Sequence, residues 1–207
     1  MTFAVWIGFL LAAILIAVTP GPGAVISMST GMLLGYRRAL LVILGLQVAI
    51  LTHIAVIAVG VGALLAGSEL AFGLVKSVGA GYLVWLGVQK WRAPPAPVGQ
   101  MAQYVRGDRL FLQGLLVNLT NPKAVIFVGA LVPQFIDPAS AQLPQYLTIA
   151  ATLCLTDVLV MSAYAIAAAR LGGWMQDPGA LRHQNRLFGA LFVCAGGLLA
   201  FASRVTR

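Results

Sequence analysis

From Phe3 to Leu34 the sequence carries no charged side chain, yet two prolines and two glycines fall inside that run, in "VTPGPGAVI" (residues 18–26). Proline in a helix interior removes a hydrogen bond and clashes with the preceding turn, and glycine weakens a helix as well. The chain is 60% hydrophobic and 9% charged, with a mean hydropathy of +0.96, values of an integral membrane protein rather than a water-soluble domain. In hydrocarbon the backbone must satisfy its own polar groups, so an interrupted helix is tolerable only where protein or water covers the freed amides and carbonyls. A break of this kind therefore predicts a covered or water-lined place at membrane depth.

Six apolar stretches are long enough to be spans: 3–34 (interrupted), 39–66, 70–90, 110–133, 145–169 and 187–203. The expected fold is all-α, a polytopic membrane protein. The piece 24–34 is too short to cross alone, so 3–34 reads as one broken helix with a re-entrant or tilted extension. The opening "MTFAVWIGF" has no basic n-region, and no small-residue cleavage site follows, so the first helix is expected to be retained. Cys154 and Cys194 stand alone in separate spans, with neither redox nor metal-ligand spacing. They read as packing residues, and no metal or cofactor is expected.

A net charge of +8 would point to nucleic acid in a soluble protein, but here the basic residues punctuate helix ends and no nucleic-acid partner is expected. Their better use is orientation. With the N-terminus outside, Arg37, Arg38, Lys90, Arg92, Arg106, Arg109, Arg170, Arg182 and Arg186 fall inside, whereas Lys76, Arg204 and Arg207 fall outside. Nine against three predicts both termini outside. The linkers "WRAPPAPVGQMAQYVRGDR" (91–109) and "QDPGALRHQNR" (176–186) read as connections whose basic groups meet anionic lipid heads of the bilayer.

The chain also reads as two copies of one pattern. "TPGPGAV" (19–25) matches "TNPKAVI" (120–126), with Pro20 and Pro122 each interrupting the first helix of a half. "GAGYLVWLG" (79–87) and "GALFVCAGG" (189–197) share Gly-Ala at the start, an aromatic at the fourth place and glycine at the ninth. Three spans per half force the halves to lie upside down relative to one another. The expected organisation is two inverted three-helix repeats, 1–91 and 109–207, joined by a cytoplasmic linker at 92–108, with helices one and four broken. Paired Gly/Pro interruptions at corresponding positions point to a transporter's midplane binding site.

Ionisable groups inside spans are costly and are functional candidates by default. There are three. Asp157 is the one acidic residue of five well inside a span, and it shares a helix face with Cys154, Met161 and Tyr164. A carboxylate there can exchange a proton as access alternates, or it can neutralise Lys123. Lys123 sits at the second break, where an ammonium beside freed amides would hold a carboxylate. His53 can relay protons near neutral pH or serve as a packing histidine. Gly31 and Gly35 form a GxxxG pair that reads as helix packing.

Here the residues carry a resemblance. "TPGPGAVISMSTGMLLGYRRAL" and "NLTNPKAVIFVGALVPQFID" (118–137) are similar to the two signatures of the lysine exporter (LysE/RhtB) family, and "TDVLVMSAYAIAAARL" (156–171) follows its pattern. The resemblance covers nearly the whole chain. One departure is Gly23, where that family more often has asparagine. The resemblance implies proton-driven export of amino acids or related small metabolites across the bacterial inner membrane, with no enzymatic activity. By carry-over, Thr19, Pro20, Gly21 and Pro22 form one wall of a substrate site and Asn121, Pro122 and Lys123 the other, with Gly23, Asn118 and Tyr164 completing it. Asp157 is the implied proton-coupling group, and His53 is a second candidate. Faces rich in small residues permit a homodimer. Two other readings stay open: a membrane thiol-electron carrier, which needs cysteines beside the breaks, and a passive channel. An intramembrane hydrolase lacks any recognisable nucleophile motif.

Overall fold

The structure, a computed structural model, describes residues 1–65 and 107–171, together with Val105 and single positions between 81 and 92 and between 179 and 197. The expected spans at 70–90 and 187–203, the linker at 92–108 and the paired glycine motifs lie largely outside the described residues. Everything regular among the described residues is helical.

Helix α1 (Phe3–Val18) starts at Thr2, whose hydroxyl accepts the Val5 amide, and stops because Thr19 precedes a proline and is forced into extended backbone (φ −75°, ψ 116°). Helix α2 (Pro22–Leu34) begins with proline in its first turn, where the missing N–H costs nothing. It ends at Gly35, whose φ of 78° is left-handed backbone that glycine adopts freely, and the chain turns there directly into α3 (Tyr36–Leu65). The second half of the described chain repeats this grammar. Helix α4 (Leu110–Leu119) is halted by the Asn121–Pro122 step, with Asn121 extended (φ −74°, ψ 108°). Helix α5 (Pro122–Leu131) opens on its proline, tightens into a 3₁₀ turn at Val132–Phe135, and leads to α6 (Gln142–Leu171).

Among the described residues, two stretches are long and apolar enough to cross a bilayer unaided, Tyr36–Gly60 in α3 and Gln142–Arg170 in α6, of 25 and 29 residues. At roughly 1.5 Å per residue each exceeds the ~30 Å of hydrocarbon. The pairs α1+α2 and α4+α5 with its 3₁₀ turn form two further candidate spans, bent by 55° and 56° at their breaks. The expected interruptions at 19–22 and 120–122 are both present. Leu11, Leu44, Val56, Val59, Leu155 and Leu159 present large apolar side chains outward, as a lipid-facing surface requires.

The core is divided. One cluster joins α1 (Phe9, Ala13, Ile16), α5 (Phe127, Val128, Leu131) and one portion of α3 and α6 (Ile50, Ile54, Ile149, Leu153). The other joins α2 (Ala24, Met28), Leu110 at the start of α4, and the opposite portion of the same long helices (Val42, Leu46, Met161, Ala168). Each broken pair thus passes from one cluster to the other at its break. Lipid tails are as apolar as leucine, so close contact rather than water exclusion must hold the helices together. The α3–α4 crossing shows how close: a Cβ on Gly45 would land on the carbonyl oxygen of Phe111, and one on Gly114 on that of Val42. Gly31 meets the Ala165 backbone in the same way, whereas a Cβ on Gly35, its partner in the expected GxxxG packing pair, would meet nothing within 4 Å: Gly35 serves the turn instead.

Candidate functional site

The first break leaves the last carbonyls of α1 without helical partners. Thr19 turns its hydroxyl back to Leu15 O at 2.8 Å and shares its N–H between Leu15 O and Ile16 O, but Ile16 O gains a second donor, and Val18 O and Thr19 O are met, from elsewhere in the chain. Lys123 Nζ donates to Ile16 O at 2.7 Å and also to Thr19 O. The Tyr164 hydroxyl of α6 donates to Val18 O. A cation at the C-terminal end of α1 is favoured further by the helix dipole. The side chain of the second break thus reaches the backbone of the first.

The second break is closed mostly from within. Asn121 Oδ1 accepts the Lys123 amide at 3.0 Å, capping the start of α5, and Asn121 Nδ2 donates to Asn118 Oδ1 at 3.3 Å. Thr120 returns its N–H and hydroxyl to Leu116, the hydroxyl at 2.8 Å. Asn118 Nδ2 donates to Leu46 O at 3.0 Å, which ties this break to the middle of α3. By contrast the start of α2 has glycine as its cap residue and no side-chain hydrogen bond.

Asp157 lies near the middle of α6. Its Oδ2 accepts from Gln47 Nε2 of α3 at 2.7 Å, and that amide also reaches Ile43 O at 3.3 Å. Gln47 is only 8% exposed, and its Oε1 is buried with no hydrogen-bond partner. His53 is placed apart: Nε2 lies 3.4 Å from Leu119 O near the end of α4, and Nδ1 is buried without a partner.

Between the two core clusters lies a cavity of about 70 Å³. At the ~10–15 Å³ that one water needs, it has room for several. Asn118, Asn121, Lys123 and Asp157 supply its polar lining, Gly21 and Gly23 bring the start of α2 to it, and Leu46, Ile50, Phe127 and Leu153 are among its apolar walls. Of the residues expected to bind substrate, Gly21, Gly23, Asn118, Asn121 and Lys123 do line the cavity. Thr19, Pro20, Pro22 and Pro122 shape the breaks without lining it, and Tyr164 braces the first break through Val18. The face expected to run from Cys154 to Tyr164 divides: Asp157 and Met161 line the cavity, while Cys154 packs against the first core cluster. His53 does not line it. Gly23 sits so near α3 that a Cβ would come 3.2 Å from Leu46 Cδ2.

Gln47 was not among the expected site residues. The signal available was its position, an uncharged amide alone in the apolar middle of α3, where an unpaired amide is costly. The apolar walls carried no signal at all, because leucine and isoleucine fill every span.

A family model described as LysE type translocator matches residues 14–203. A homoserine/homoserine lactone efflux protein of Salmonella typhimurium is 44% identical over 203 residues, covering 98% of each chain. An uncharacterized membrane protein of Vibrio cholerae is 42% identical, covering 98% of this chain and 99% of its own. A leucine efflux protein of Enterobacter sp. is 28% identical over 93% of each. No solved structure matches the chain.

Proposed function

The chain belongs to the LysE type translocator family, and on that premise we propose that it is a secondary exporter of amino acids or related small metabolites, driven by the proton-motive force through alternating access. One observation carries this reading. The two breaks meet at a shared cavity, with Lys123 of the second holding carbonyls of the first. Broken helices that converge on a polar chamber at membrane depth are what a substrate site between repeats requires.

In this reading the chain is six helices in two inverted repeats, 1–91 and 109–207, joined through 92–108, and it sits in the bacterial inner membrane with both termini outside. The near-equal bends of the two pairs and the bias of basic residues support it. The start of α2, whose cap residue has no side-chain bond, faces the cavity through Gly23 and Ala24. Its amides, with the positive charge of Lys123, would receive the substrate carboxylate. Asp157 would take a proton from the outside and release it inside.

The names of the relatives favour small amines as substrates: homoserine, its lactone, and leucine. A thiol-electron carrier gains no support, since Cys154 packs in the core rather than beside a break. The deciding experiment is uptake of labelled homoserine, homoserine lactone and leucine into inverted vesicles under an imposed pH gradient. Wild-type protein is expected to accumulate at least one of them, saturably, and Asp157→Asn to lose gradient-driven accumulation. Non-saturable flux independent of the gradient would identify a channel, and full accumulation by Asp157→Asn would reject the coupling role.

A further inference from the structure

Asp157 lines the cavity, and Gln47 of α3, outside that lining but hydrogen-bonded to Asp157, brings a second acceptor next to it. Asp157 is held by a neutral amide, Gln47, at 2.7 Å. That same amide leaves Oε1 buried and unpaired, and a buried acceptor without a donor is a standing cost that some hydrogen-bonding partner would remove. Lys123 lines the same cavity; its ammonium donates to Ile16 O and Thr19 O at the end of α1, and its charge also acts on Asp157.

We infer that Asp157 and Gln47 Oε1 together form the subsite for the substrate's ammonium group, and that proton and ammonium compete for this one carboxylate. The inference rests on the export reading above and deepens it. When the ammonium arrives, its N–H groups donate to Asp157 and to Gln47 Oε1, and the proton held by Asp157 leaves to water. When the substrate departs, a proton returns. Because one carboxylate cannot hold both, each substrate exported is exchanged for a proton carried inward, and coupling needs no second titrating group.

Among the described residues, few charged or titratable groups face this pair. Helices α1, α2 and α4 contribute none, α5 contributes Lys123, α3 contributes His53 at the end of α4, and α6 itself contributes Cys154 and Tyr164. Apart from Lys123 and Asp157, none of these lines the cavity.

The test is proton counting on the purified full-length protein in detergent. Homoserine, homoserine lactone, leucine and ethylammonium are titrated in weak buffer with a pH indicator, and affinity is read in parallel by calorimetry. Competition predicts release of up to about one proton per amine bound, and an apparent Kd that weakens about tenfold per pH unit on the acidic side of the Asp157 titration. Asp157→Asn should bind amines more weakly than wild type, with neither proton release nor pH dependence. Gln47→Met, nearly isosteric, should weaken binding about tenfold while leaving the proton count intact, since it removes one acceptor and not the exchange.

Amine binding without proton release, an affinity independent of pH, or failure of every amine to bind would overturn the inference. The export reading fails separately. If gradient-driven uptake depends on Asp157 but no proton is displaced by amines, export stands and the shared subsite falls; if protons are displaced but vesicles never accumulate substrate, the subsite stands and export falls.

Discussion

The two breaks bend their helices almost equally, by 55° and 56°, and both restart on a proline, yet they are held in opposite ways. The second is largely self-sufficient: Asn121 caps α5, Thr120 serves the end of α4, and Asn118 joins Asn121, all within a few residues. The first relies on partners more than a hundred residues away, Lys123 and Tyr164. A locally closed break keeps its shape when neighbouring helices shift. A break closed from a distance changes when they do. The first break is therefore the one whose backbone polarity can respond to rearrangement of the second half, and this difference can be attacked directly.

The largest effect should follow from Lys123→Met. It takes the cation from the carbonyls of Ile16 and Thr19; Ile16 O keeps the Thr19 N–H, whereas Thr19 O loses its donor, and a buried acceptor left unsatisfied costs about 1–3 kcal/mol. We expect a thermal midpoint in detergent several degrees lower and loss of gradient-driven uptake. If uptake and melting both stay at wild-type levels, the first break does not depend on the second.

Next in size is an exchange of caps. Gly21→Asn would give α2 the side-chain cap that α5 already has, at a position with extended backbone (φ −134°) that asparagine tolerates. Its Cβ would come 3.2 Å from Lys123 Cδ, a flexible neighbour that can yield. If the uncapped amides of α2 receive substrate, filling them should cut uptake about tenfold at little cost in stability. Asn121→Ala removes the other cap and should cost about 1 kcal/mol of stability while preserving more uptake than Gly21→Asn does. The reverse ranking in the vesicle assay would mean that the second break is the receiving one.

How far the sequence announced this arrangement depends on which force decides each part. Pro20, Pro22 and Pro122 fix backbone geometry by covalent structure, so both breaks were legible without any tertiary knowledge. Asp157 and Lys123 were legible because charge inside an apolar span is rare and expensive. Which groups meet was not legible. Lys123 was expected at the site, which it lines, but its bonds to the carbonyls of α1 were not foreseen, because the long lysine stem reaches a helix end that only tertiary packing brings near. Gln47 and the displacement of His53 from the cavity have the same cause: rotation of α3 about its axis is set by packing at Gly45, which local pattern does not encode.

A smaller effect is expected from Tyr164→Phe, which removes one hydrogen bond, to Val18 O, and keeps the ring. The cost should be about 1 kcal/mol or less, seen as a lower unfolding midpoint, with uptake reduced only slightly. It separates the two long-range supports: if Tyr164→Phe matches Lys123→Met in severity, position rather than charge is what the first break needs.

The smallest effect tests whether the local character of the second break extends to the far end of its arm. Beyond the 3₁₀ turn, Asp137 Oδ2 accepts the Ser140 hydroxyl at 2.7 Å and Oδ1 accepts the Ala139 amide at 3.0 Å. Gln145 grips the same residue, with Oε1 accepting the Asp137 amide at 2.9 Å and Nε2 donating to its carbonyl at 3.0 Å. The Ser140 hydroxyl first, and then the Ala139 amide, hold the Asp137 carboxyl below its ordinary value. A depressed carboxyl stabilises its turn above the ordinary carboxylate range and loses that contribution as pH falls through the lowered value. Ser140→Ala should move the Asp137 titration, followed by carboxyl-carbon NMR, back toward the usual range. Because the group is exposed, the consequence should be confined to the turn between the 3₁₀ segment and α6, with uptake at neutral pH unchanged. A change in uptake there would mean that the second arm, too, is held by more than its own neighbours.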